Sequence, residues 1–525
     1  MTQAIAAIGV VCLAVGAWLR VVLAAPAPDN SAEWVRWRDE PTKMTTKDRL
    51  AYSIGALRAA EPDLVADRSF TPAQQRFFII LAGIVLLLLV TATEQTIIGI
   101  LLLVNIAYIS ALVLRIRLFF LGLNDRGMIR ISDEAARSYP YERLPRYTVL
   151  VPAFRETEVF GRLVTNLRAL DYPREKLQVL LLLEADDHET IEAATDAVGA
   201  STDITIVTVP AAEPRTKPKA LNYGLTSATG DLITIYDAED RPDPLQLRKA
   251  AIAMESSPPE MACLQAQLGF FNPRQNLLTR WFTIEYRMWF NDLLPGLAQL
   301  DAPIPLGGTS NHFRRSALMD LGAWDPFNVT EDADLGVRLH RKGYRSGVLD
   351  SVTYEEANSD FINWIKQRSR WYKGYAQTLL VHLRHPVRLY REIGFSGLLL
   401  MCMFVGGTPL LAVMNPLFWA TTALWFIAHP SFIRDVIPVV PYFLGLVSWV
   451  IGNVIVYWTW LLSARKADEG LVVAAVLAPL YWVMMAAAAI KATIQLATAP
   501  SFWEKTHHGL DVAPTAAAAG AHAVL

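Results

Sequence analysis

Cysteine is nearly absent from this 525-residue chain. Cys12, Cys263 and Cys402 stand far apart, and two of them lie in apolar blocks. No disulfide framework and no zinc spacing can be built from them. An excess of one charge is missing too. Lys and Arg number 48 and Asp and Glu 50, a formal charge of −2. Without a basic tract or face, nucleic acid is excluded as a partner. What the chain has in plenty is apolar residues, 53% of the total, with a mean hydropathy of +0.27. They gather in long blocks near both ends and leave a mixed, charged middle. That outline predicts a soluble domain held between spans of a lipid bilayer.

A helix needs about 20 apolar residues to cross a bilayer. Phe77–Val90 and Ile97–Leu114 come close, and only Thr91–Thr96 separates them, so residues 77–122 read as a membrane hairpin. Gly394–Met414, Pro416–Ala428, Ile437–Leu462 and Leu471–Leu496 give further spans within residues 394–497. In residues 1–25, Ala4–Leu23 is apolar but has no positive segment before it. It is expected to be a transmembrane or interfacial helix and not a signal peptide. Lys and Arg mark the cytoplasmic side. Arg36, Arg38, Lys43, Lys47, Arg49 and Arg58 precede the hairpin, and Arg115, Arg117, Arg126 and Arg130 follow it. Residues 26–76 and the middle domain are therefore expected in the cytoplasm. Counting four later spans places the tail, residues 498–525, there as well.

From Arg146 the pattern becomes that of an α/β sheet. Tyr147–Val151, Gln178–Leu183, Ile204–Val209 and Asp231–Tyr236 are short apolar runs alternating with helical segments. Such runs predict parallel strands covered on both faces. Ligands bind beyond the carboxyl ends of such strands. Acidic residues stand at two of those ends, Glu184–Asp187 and Asp237–Asp240. Asp237 and Glu239, one residue apart, can converge on a hard divalent cation shared with a diphosphate. Lys217-Pro-Lys219-Ala-Leu-Asn222 offers cations and an amide before the same strand. The loop Pro305–His312 is polar and glycine-rich, suited to close approach by a sugar. Thr330-Glu331-Asp332 opens an amphipathic helix, where a cap also fixes a carboxylate rigidly. Gln367, Arg370 and Trp371 share one face of a helix over Phe361–His385, within an interfacial stretch at residues 361–392.

In order and spacing these pieces resemble the processive membrane members of glycosyltransferase family 2, such as cellulose synthases and hyaluronan synthases. The matching pieces are VPAFRE at Val151–Glu156, Glu184–Asp187, KPKALN at Lys217–Asn222, DAED at Asp237–Asp240, GGTSN at Gly307–Asn311, TED at Thr330–Asp332 and QRSRW at Gln367–Trp371. The last is similar to the family's QxxRW motif. The resemblance implies an α/β domain of the GT-A type at residues 140–360, inserted between α-helical membrane segments with amphipathic interfacial helices. It implies an inverting, metal-dependent hexosyltransferase that uses Mg2+ or Mn2+ held by Asp237 and Glu239, where Glu239 replaces the usual Asp. Asp332 would be the general base, with Glu331 and Asp237 beside it in the catalytic set. The UDP-sugar donor would lie against Pro152, Ala153, Glu156, Glu184 or Asp186, Lys219, Asn222, Asp237, Gln367 and Arg370. The glycan acceptor would meet Gly308, Thr309, Ser310, Asn311 and Trp371. Trp503, Lys505, Thr506 and His508 fall at the spacing of the family's F-x-V-T-x-K gating motif, with His for the final Lys; an aromatic interfacial anchor is the competing reading.

The family further implies a multi-pass protein of a bacterial-type inner membrane, working with accessory export proteins. A polysaccharide synthase, making a glucose polymer in the cellulose-synthase-like manner, is the first expectation. A transferase moving one sugar to a lipid carrier is the alternative, and a degenerate transporter or scaffold is a third.

Overall fold

The computed structural model describes residues 32–39, 44–124, 126–428, 439–499 and 504. The expected helix at residues 1–25 and the gating-like segment around Trp503 lie outside them.

The charged middle folds into one mixed sheet. Its strands are β1 (Met128–Ile129), β2 (Tyr147–Ala153), β3 (Leu177–Glu184), β4 (Ile204–Val209), β5 (Leu232–Ile235), β6 (Arg241–Pro242), β7 (Met261–Phe270), β8 (Asn311–Arg314) and β9 (Arg345–Glu355). The order is β1-β9-β7-β8-β5-β2-β3-β4, with β6 on β9. The four apolar runs of the sequence become β2, β3, β4 and β5, all parallel. Alternation along each strand feeds two cores, because successive side chains point to opposite faces. Leu150, Leu180 and Leu182 enter one core, and Val149, Val151, Val179 and Leu181 the other. β8 runs antiparallel between β5 and β7. Its reversed direction brings the preceding loop, Gly307–Ser310, to the carboxyl edge of β5.

Two helices complete that edge. One, Glu331–Arg341, follows Thr330; the other, Phe361–His382, carries QRSRW. They pack closely where the second has no side chain. A Cβ at Gly374 would stand 2.6 Å from Thr330 Oγ1.

Among the described residues, five helices are long and apolar enough to cross a membrane: Pro72–Thr91, Thr93–Leu123, Pro386–Leu424, Phe443–Ala467 and Ala478–Thr498. The first two are joined at Ala92 and pack against each other. Gly394–Met414 and Pro416–Ala428 belong to one helical run, Pro386–Met401, Cys402–Gly407 and Thr408–Ala428, with Pro416 inside the last helix. The run bends at Gly394, which has φ 68°, a conformation open to glycine at little cost. Ala478–Thr498 runs beside the QRSRW helix. Tyr481 Oη is 3.2 Å from Arg368 Nη2 near one end. Beyond the other end, Glu504 pairs with Lys491 at 2.7 Å, and its carbonyl is 3.5 Å from Arg370 Nη1.

Candidate active site

The two acidic strand ends differ in how their charge is met. After β3, Glu184 is buried against Lys219 at 2.8 Å. Lys219 is wholly buried and also bonds the Ala212 carbonyl at 3.0 Å. Asp186 pairs with Arg215 at 2.6 Å, and the Asp187 carboxylate accepts the Arg155 N–H at 2.6 Å. Each carboxylate there has its own partner. Burial pushes the Glu184 carboxyl up, and Lys219 opposes that.

After β5 the acids outnumber the cations. Asp237 pairs with Lys217, whose ammonium also donates to the Gly308 carbonyl at 2.9 Å. Asp240 is buried; its Oδ2 accepts the Asp237 N–H at 2.8 Å and the Thr309 hydroxyl. Asp240 Oδ1 is buried without a partner. Burial, then the charges of Asp237 and Glu239, pushes the Asp240 carboxyl well up. From the facing helix come Glu331 and Asp332. Burial raises both carboxyls, and Asp332 adds to the rise at Glu331. A Cβ at Gly308 would lie 3.4 Å from Asp332 Oδ2 and 3.8 Å from Lys217 Nζ. The bare Gly308 thus opens a gap between a carboxylate and an ammonium.

Two cations answer this cluster. Burial alone would lower the Lys217 ammonium, but the charges of Asp237 and Glu331 outweigh it and raise it. Burial lowers the Arg370 guanidinium, opposed by Glu331, Asp237, Asp332 and Glu239. Arg370 therefore looks into the same acids from the QRSRW helix. Gln367, one turn earlier, has a buried Oε1 with no partner.

Among the described residues no group of three or more His, Cys, Asp or Glu side chains could hold a metal ion. A cation at Asp237 and Glu239 would complete its shell with diphosphate oxygens and water, as Mg2+ commonly does. The setting fits that: the Lys217 ammonium already sits between Asp237 and a carbonyl, and Asp240 keeps one unpartnered oxygen.

Several expected residues are engaged elsewhere. Asn222 is buried and bonds the Ser53 carbonyl at 3.1 Å and both backbone groups of Trp324, at 2.8 and 3.0 Å. It clamps the N-terminal segment to the domain. Thr309, Ser310 and Asn311 are buried. Thr309 bonds the Ile235 carbonyl at 3.1 Å, Ser310 bonds Thr353 at 2.7 Å, and Asn311 bonds the Gly307 carbonyl at 2.5 Å. Of that loop's expected four, only Gly308 borders the gap. Lys217, not Lys219, supplies its ammonium. Pro152 and Ala153 end β2, and Glu156 follows half-exposed. Trp371 is half-buried over the Arg368 guanidinium, 4.6 Å from its ring centroid. Sequence reasoning missed Glu285, which holds Arg368 by two bonds of 2.8 and 2.5 Å.

Residues 145–374 match the model of the family described as Glycosyltransferase like family 2. That segment is similar to glycosyltransferase domains of this type, and the mixed α/β sheet is GT-A-like. The chain is 26% identical over 276 residues to a beta-monoglucosyldiacylglycerol synthase of Synechocystis, covering 51% of this chain and 55% of the other. It is 27% identical over 264 residues to a poly-beta-1,6-N-acetyl-D-glucosamine synthase of Staphylococcus aureus, covering 48% and 60%. The chain thus spans little more than half the length of the curated relatives it matches. A solved mannosyltransferase of Pyrobaculum calidifontis, in complex with GDP-Man and Mn2+, is similar at 18% identity and a TM-score of 0.42, covering 74% of this chain and 98% of that one.

Proposed function

We propose that this chain is a membrane polysaccharide synthase that transfers a hexosyl unit from a UDP-sugar to a growing glycan with inversion. The observation that carries the reading is the gap at Gly308, with Asp332 Oδ2 on one side and the Lys217 ammonium on the other. A sugar hydroxyl is a weak nucleophile. Asp332 takes its proton as the oxygen attacks the anomeric carbon. The bond to the diphosphate breaks on the opposite side, so a single displacement inverts the centre. Lys217 and Arg370 stabilise the charge on the leaving nucleoside diphosphate. A divalent cation, when bound by Asp237 and Glu239, supplies further positive charge to that group. Glucose is the sugar proposed. The Lys and Arg flanks of the hairpin support a cytoplasmic domain, with the product exported through or beside the later helices.

The rival is transfer of one sugar to a lipid carrier. It is supported by the glucosyldiacylglycerol synthase among the relatives and by the apolar helix Ala478–Thr498 beside Arg370 and Trp371. Purified chain incubated with a panel of UDP-sugars and Mg2+ or Mn2+, followed by product sizing, separates the two. Polymer supports the first reading and a single lipid-linked sugar the second. Unchanged donor in every reaction would refute both.

A further inference from the structure

Behind the Asp332 helix lies a charged cluster that the proposed chemistry does not use. A cavity of about 100 Å3 opens there, where three stretches of chain meet. Glu61 comes from the segment before the helix Pro72–Thr91. Arg338, Arg341 and Lys342 come from the far end of the helix Glu331–Arg341 and its cap. Arg388 and Glu392 come from the first turns of the helix Pro386–Met401. Asp332 stands near the other end of the first helix, about 9 Å from Arg338 along the axis at 1.5 Å per residue.

Every carboxylate of the cluster is shared between two cationic side chains or a cation and a histidine. Glu61 pairs with Lys342 at 3.1 Å and with Arg388 at 3.0 Å. Glu392 pairs with Arg341 at 2.6 Å and with Arg388 at 2.7 Å. Asp334, behind the lining, holds Arg338 at 2.7 Å and His382 at 3.0 Å. Four cations therefore line the cavity against two carboxylates. Arg338 also has a donor to spare. Its Nε donates to Asp334 and its Nη1 to the Leu321 carbonyl at 3.0 Å. Its Nη2 is buried with no hydrogen-bond partner, on a residue only 2% exposed. A buried donor left unpaired costs free energy. Such a lining repels cations, and a neutral ligand leaves its charge unmet. An oxyanion meets both the charge and the spare donor.

We propose that this cavity binds a phosphate group, as a monoester or a diester, between Arg338 Nη2 and the side chains of Lys342 and Arg388. Guanidinium groups bind phosphate oxygens by strong, charge-assisted bonds. Lys342 and Arg388 are part-exposed, so an anion can reach the cavity from solvent. Two sources share this chemistry. Arg388 precedes Gly394, where the run bends into its apolar part. Basic side chains at such a position attract anionic lipid headgroups. A soluble phosphate compound is the other source. The bound group ties the Asp332 helix to the stretch at Glu61 and to the helix Pro386–Met401. The proposal does not depend on which sugar or acceptor the cleft uses.

The test uses the full chain in neutral detergent, with saturating UDP to fill the cleft. The unfolding temperature is followed against inorganic phosphate, with chloride at equal ionic strength as the control. A ligand that binds the folded chain raises that temperature, so wild type should show a saturable rise. Arg388→Gln and Lys342→Gln should each weaken the apparent phosphate affinity about tenfold, the worth of one hydrogen bond to a charged group. Glu392→Gln loosens the hold on Arg341 and Arg388 and should tighten phosphate binding, a gain that misfolding cannot imitate. Nanodiscs of phosphatidylglycerol or phosphatidylcholine, free of phosphate, then separate the sources. A higher temperature in phosphatidylglycerol, lost in Arg388→Gln, assigns the site to a lipid headgroup. Equal temperatures, with the phosphate response kept in both discs, assign it to a soluble phosphate. A wild type that responds to neither phosphate nor phosphatidylglycerol overturns the proposal and leaves the cavity to water. Three variants that all match wild type also overturn it, because the anion then binds elsewhere.

Discussion

The two acidic strand ends, after β3 and after β5, look alike in sequence and behave oppositely in the fold. At the first, Glu184, Asp186 and Asp187 each meet a dedicated partner. At the second, Asp237, Glu239, Asp240, Glu331 and Asp332 gather around Lys217 and Arg370. Carboxylates settled by internal partners serve stability. Carboxylates crowded without enough cations hold strain that a positively charged ligand relieves, and perturbed groups in a cleft mark function for that reason.

The largest effect should come from Asp332→Asn. The amide keeps the shape but cannot take a proton, so transfer should fall by about 10²- to 10⁴-fold. UDP affinity should be unchanged; an equal loss of affinity would make Asp332 structural. Removal of divalent cations comes next. Excess chelator should stop turnover, and Glu239→Asp should keep part of the activity. Full turnover in chelator would erase the difference drawn between the two strand ends.

The third prediction crosses the two lysines. Lys219→Met leaves Glu184 buried and unpaired, at a cost of about 3–5 kcal/mol, read as a lower unfolding temperature. Lys217→Met also leaves carboxyls short of a cation, but its larger effect should be to cut transfer. If the two variants exchange these phenotypes, the comparison is wrong. A smaller effect is expected with pH. Asp332 works as a base only when ionised, and burial raises its pKa. Transfer should be full at high pH and fall as pH drops through a midpoint above ~3.9, the value of an ordinary aspartate. A profile flat down to that value would show that Asp332 is not the base. The smallest effect is at Arg215→Ala. Its pair with Asp186 is about two-fifths exposed on both sides, so the unfolding temperature should hardly change.

The parallel half of the sheet was legible because β2, β3 and β5 are buried on both faces and leave continuous apolar runs. Asp237, Glu239 and Asp332 were legible as carboxylates at strand and helix ends. The lysines were not. Lys217 is the first residue of the helix Lys217–Leu225, and its side chain reaches past the helix end into the cleft. Lys219 is turned about 200° around the axis and meets β3 instead. The GGTSN loop misled for a related reason: Thr309 and Ser310 are already tied to β5 as β8 begins. Glu285 and Arg368 form no motif. The helix Leu277–Arg287 and the QRSRW helix meet only through the tertiary fold, and nothing in linear spacing announces it. The long apolar helices were legible by length, whereas the course of Ala478–Thr498 beside the QRSRW helix depends on Tyr481 finding Glu285 and Arg368.

The missing side chain at Gly374 has a consequence for control of the reaction. The Asp332 helix and the Trp371 helix touch there with clearance for a hydrogen atom and nothing more. A methyl group there would act as a wedge between the Thr330 cap, next to Glu331 and Asp332, and the helix that carries Trp371. The spacing of the proposed base from the proposed acceptor contact is thus held by an absent side chain three residues beyond Trp371.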